Sequence, residues 1–77
     1  MVNLISKYSY IDLCKLLIGN NVNFKSDCQL FPNFDITGKV ISISIGNNHE
    51  YIIKIIRNNK HYDIGSNMHN LSFTVIK

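Results

Sequence analysis

The chain has 77 residues, 45% of them hydrophobic and 17% charged, with a formal net charge of +3 and a pI near 9.0. That is room for one domain, too apolar for a disordered tail and too poor in charge for a coiled coil. No apolar run approaches the roughly 20 residues of a membrane helix, and the first residues lack the basic-then-apolar order of a secretory signal, so a soluble cytoplasmic protein with no membrane partner is expected.

The first predicted element is a helix over SYIDLCKLLIGNN. Ser9 can cap it, with Asp12 three residues on, and Gly19 supplies a left-handed stop. Tyr10, Leu13, Cys14 and Leu17 follow the i, i+3, i+4, i+7 spacing of a buried stripe, which Ile11 and Ile18 are expected to widen. Val22 to Lys25 reads as a short strand with Val22 and Phe24 facing one way. The following SDCQLFPNFD has no period and holds the single proline, Pro32. Leu30, Phe31 and Phe34 make this loop unusually apolar, so its rings either plug the fold or meet a partner.

From Ile36 the chain reads as a strand in which Ile41, Ile43 and Ile45 alternate with Ser42 and Ser44. For these isoleucines to share a face with Tyr51, Ile53 and Ile55, the intervening loop must have an odd number of residues. Asn47-Asn48-His49 satisfies this as a three-residue loop. Asn58-Asn59 then suits a two-residue type I′ turn, because Asn tolerates the positive φ needed at both positions. Counting back from that turn sets Arg57 against Lys60, Ile56 against His61, Ile55 against Tyr62, Lys54 against Asp63 and Ile53 against Ile64. Tyr51, Ile53, Ile55, Tyr62 and Ile64 form the core face, and the outer face gains an opposite-charge pair in Lys54 and Asp63. GSNMHN is expected to turn, and Leu71, Phe73 and Val75 alternate in a last strand.

One short helix followed by four or five strands is an α+β, mainly β plan, a strongly curved antiparallel sheet or a small SH3-like barrel. On the outer face Ile52 and Ile56 need cover. The N-terminal helix is expected to supply it; without the helix they mark an interface.

Catalytic and metal chemistry find little footing. Cys14, Cys28, His49, His61 and His69 show no C-x₂-C or H-x₃-H spacing, Cys14 lies on the apolar helix stripe, and a reducing compartment argues against a Cys14–Cys28 disulfide. Ser42, Ser44, Ser72 and Thr74 fall at outward strand positions. Asp12 reads as a cap residue and Asp63 as a partner of Lys54, leaving few carboxylates for acid–base work. Gly19, Gly38, Gly46 and Gly65 read as isolated turn glycines with no phosphate-cradling motif. No enzyme, metal or cofactor is expected.

The expected function is therefore binding to a macromolecule, foremost a protein, through Leu30, Phe31, Phe34, Ile52 and Ile56. An alternative is a nucleic-acid-binding barrel using Lys54, Arg57, Lys60 and His61, whose clustered positive charge suits phosphates. A third is an oligomeric sponge for a nucleotide-like anion. Ala is absent, Arg occurs once, and Ile and Asn abound. Such AT-biased usage points to a low-GC bacterium or its phage, and small size with no catalytic groups suits a phage-encoded inhibitor of a host defence system.

Overall fold

Ser9 stands in extended backbone, and its hydroxyl accepts from the Asp12 amide at 3.3 Å, the cap that opens helix α1 (Tyr10–Leu17). In the computed structural model, which describes residues 3–26, 34–67 and 70–76, the helix stops as the sequence predicts. Gly19 takes φ +89°, the left-handed conformation that costs a glycine least. Its amide donates to the Val40 carbonyl at 2.8 Å, and the Val40 amide donates to Asn20, so the end of the helix is tied directly to a strand.

The strands are β1 (Asn3–Leu4), β2 (Asn21–Ser26), β3 (Phe34–Ile45), β4 (Tyr51–Arg57), β5 (Lys60–Gly65) and β6 (Ser72–Ile76). They form one antiparallel sheet in the order β1-β6-β2-β3-β4-β5, and a 3₁₀ turn over Ile5–Lys7 leads from β1 toward the helix. The mainly β plan with one short helix holds; the two-residue β1 was not anticipated. The described pairings leave β1 and β5 as edges and do not close a barrel. The molecule still measures 29 × 26 × 26 Å, nearly equal in every direction, so its one sheet must curl around its core.

The β4–β5 hairpin has the register that its turn dictates, from Arg57 opposite Lys60 through Lys54 opposite Asp63 to Ile53 opposite Ile64. Asn58 and Asn59 both take positive φ, 53° and 64°. Because Gly enters this conformation without a Cβ penalty, Asn59→Gly is expected to stabilise the fold by about 0.5 kcal/mol, raising the thermal midpoint by roughly 2–4 °C in a calorimetric scan. The β3–β4 loop is also as expected. Gly46 donates to the Glu50 carbonyl at 2.8 Å, which leaves Asn47-Asn48-His49 as the loop, and His49 closes it at φ 63°. Ile45 faces Tyr51 and Ile43 faces Ile53.

The alternation of β3 breaks one step earlier. Val40 pairs with Ile55 and Ser42 with Lys54, so Ile41 is an extra residue bulged out of the ladder. Val40, Ile43, Ile53 and Ile55 are buried, whereas Ile41 is 40% exposed. Ile41 therefore does not share the inward face with Ile43. Ile45 does by parity, but it lies at the strand's end and is 56% exposed. Tyr62, expected inward beside Ile55, is 39% exposed, since β5 is an edge strand with no further strand to enclose its ring.

Val22, Phe24, Val40, Ile43, Ile53, Ile55, Ile64 and Phe73 from the sheet form one cluster with Ile5, Leu13, Leu17 and Leu71. Helix α1 thus packs on the concave, core side, which corrects the expectation that it covers Ile52 and Ile56 on the outer face. Only Leu13 and Leu17 are fully buried, with Tyr10 and Cys14 packed beside them. Ile11 and Ile18 lie roughly a third of a turn round the helix from Leu13 and Leu17 and are exposed, so they do not widen the stripe. Gly38 is no turn glycine either: it sits buried in the middle of β3, opposite Val22. Leu30, Phe31, Cys28 and His69 lie outside the described residues.

Candidate functional site

The outer face is built by the alternate residues of five strands, and the register divides it in two. On one half Asn23 lies between Thr37 and Thr74. Its amide nitrogen donates to Asp35 Oδ1 at 2.6 Å and to Thr37 Oγ1 at 2.9 Å. Lys25 approaches the same carboxylate at 4.0 Å, an exposed pair of little energetic weight. These groups satisfy one another, giving a polar, self-contained surface.

The other half carries the predicted residues. One row runs Asn21, Lys39, Ile56, His61, and the next runs Ser42, Lys54, Asp63, with Ile52 between Ser44 and Gly65 beyond it. Ile52 and Ile56 thus stand on either side of Lys54 along β4, both half-buried. Lysines flank Ile56 from two directions: Lys39 across the ladder and Lys54 along the strand. Phe34 lies apart from them, at the start of β3 opposite Ser26, half-buried against the core.

The four predicted cations do not form one patch. Lys54 and His61 are on the outer face, whereas Arg57 and Lys60 are on the opposite side at the hairpin tip, next to the exposed ring of Tyr62. Lys39 takes their place on the outer face. Simple alternation from Ile41 and Ile43 would have put Lys39 inside, and the bulge at Ile41 sends it out. A lysine is almost never buried unpaired, so its presence in an isoleucine run was a readable sign of that break.

On the concave side, the Tyr10 hydroxyl donates to the Ile43 carbonyl at 2.8 Å, and its ring tilts against Tyr51 with centroids 5.9 Å apart. The neighbouring Cys14 side chain, first as a hydrogen-bond partner and then as a charge opposing a phenolate, raises the Tyr10 pKa above its ordinary 10.0, with burial adding to it. The hydroxyl therefore stays protonated as a donor through the neutral range. Among the described residues no three of His, Cys, Asp and Glu gather where they could hold a metal ion, and no helix is long and apolar enough to cross a membrane.

The chain matches no family model, and no curated protein or solved structure matches it significantly.

Proposed function

We propose that this chain is a non-enzymatic binding module that occupies a protein partner through the outer face around Ile52 and Ile56. The observation that carries this reading is the position of α1: by packing on the concave side it leaves Ile52 and Ile56, both half-buried, uncovered by the helix. Apolar side chains rimmed by Lys39, Lys54 and His61 suit a partner surface that is apolar at its centre and acidic at its margin. Within this class, the AT-biased composition favours a phage-encoded inhibitor of a host defence system.

A second reading, nucleic-acid binding, draws on Arg57 and Lys60 beside the exposed Tyr62, where cations and a stacking ring share one lip. One experiment separates the two. Capture from host lysate is run with the wild type, with Ile52→Asn/Ile56→Asn and with Arg57→Glu/Tyr62→Ala, each checked for an unchanged circular-dichroism spectrum. The proposed function predicts one protein retained by the wild type and by Arg57→Glu/Tyr62→Ala, and lost from the isoleucine variant. Retention of nucleic acid that fades with salt and with the hairpin-tip substitutions would instead establish the second reading. A protein held equally by all three forms would overturn the assignment of the outer face.

A further inference from the structure

Strand β5 has β4 on one side and, among the described residues, no strand on the other. Which backbone groups face that open side follows from the hairpin. A two-residue turn bonds Arg57 to Lys60, and antiparallel pairs then alternate, so Tyr62 and Ile64 turn their amides and carbonyls toward β4. The same count runs on past β5, where the Ser66 amide donates to the Tyr51 carbonyl at 2.8 Å. His61, Asp63 and Gly65 therefore point both of their backbone groups outward, at intervals of about 6.8 Å along the edge. Such edges are commonly blunted by a bulge, a proline or a covering element. Among the described residues β5 has none of these, and it pairs with β4 through six consecutive positions without a break.

We infer that this edge takes an extended, acidic segment of the protein partner as a further strand. Charge selects the occupant. Around the hairpin end Lys39, Lys54, Arg57, Lys60 and His61 stand against the single carboxylate of Asp63, and among the described residues none of the five is in an ion pair. Such an edge repels a second copy of itself and attracts a strand that carries carboxylates. An added antiparallel strand alternates as β5 does. Its residue opposite Tyr62 lies on the core side, where an apolar side chain would enclose a ring that is 39% exposed. Its residue opposite His61 continues the outer-face row of Lys39, Ile56 and His61, which is the place for a carboxylate. The edge is thus continuous with the face around Ile52 and Ile56. The inference rests on the protein-partner reading and names the segment which that partner presents.

The test is a titration of the full chain, followed through its amide NMR signals, with the end-blocked peptide Val-Thr-Val-Glu-Val-Glu. At about 1 mM it fills most of a site whose Kd is about 100 μM. The amides of His61, Asp63 and Gly65 should shift and saturate, and binding should weaken as salt is raised. Replacing both Glu of the peptide by Lys should weaken it about tenfold or more. Asp63→Asn, which removes the one repelling carboxylate, should bind at least as tightly as the wild type. Asp63→Pro removes the same charge and the outward amide as well, at a position where an edge strand tolerates proline, so it should bind about tenfold more weakly with its circular-dichroism spectrum intact. N-methylation of the peptide at Thr and at its first Glu should reproduce that loss without altering the protein. Unmoved signals at all three amides, a Lys peptide that binds equally well, or an N-methylated peptide as tight as its parent would each overturn the inference. In lysate capture, a protein lost from Ile52→Asn/Ile56→Asn but kept by Asp63→Pro would remove the edge and leave the outer-face reading standing.

Discussion

Phe24→Ala is expected to be among the most destabilising single substitutions in this fold. Phe24 is fully buried at the centre of β2, with Ile36 opposite on β3 and Phe73 opposite on β6. Phe73 in turn meets the edge of Tyr8 with ring centroids 5.4 Å apart. Removing the ring takes out the transfer free energy of its carbons and leaves a cavity that two strands and a curved sheet can only partly collapse, a loss of about 3–5 kcal/mol. A domain of this length has roughly 4–12 kcal/mol in all, so the substitution removes a large fraction of it. A urea titration checks this. A shift below about 1 kcal/mol would mean that the core is not centred on Phe24.

Gly38→Val should destabilise by about 2–3 kcal/mol, although strand propensity argues for the opposite sign, since Val suits a strand and Gly weakens one. The reason is a close approach. A Cβ at position 38 would stand 2.9 Å from the Ile56 carbonyl oxygen and 3.0 Å from Ile55 Cδ1. The first is backbone, held in the β3–β4 ladder, and cannot swing aside as a side chain would. Val adds two methyl groups to that crowding, so β4 must shift beneath Ile56. Equilibrium unfolding gives the sign, and a Gly38→Val protein at least as stable as the wild type would show that β3 and β4 do not cross as closely as described. The same shift would disturb the outer face, linking an inner glycine to the proposed contact.

The parts of this fold that could be read from residues are those set by neighbours along the chain. Asn58-Asn59 determines the β4–β5 register because a two-residue loop permits a single count. The odd parity of Asn47-Asn48-His49 follows from the need to keep Ile43 with Ile53. Ser9 and Gly19 bound the helix by local hydrogen bonding and backbone conformation. The candidate site was half legible. Ile52, Ile56, Lys54 and His61 were placed on their common face by alternation alone, while Lys39 was missed and Arg57 and Lys60 belong to the other side.

What the chain by itself determined is therefore its local grammar: caps, turn types, hairpin register and the identity of most inward residues. Tertiary structure alone decided where α1 lies, that Ile41 bulges, and which isoleucines stay uncovered. The physical reason is that an amphipathic stripe says that a helix must bury Leu13 and Leu17 without saying against which surface. That choice depends on the space a curled sheet leaves open, and on bonds such as Tyr10 to Ile43, between residues far apart in the chain, which no local pattern encodes.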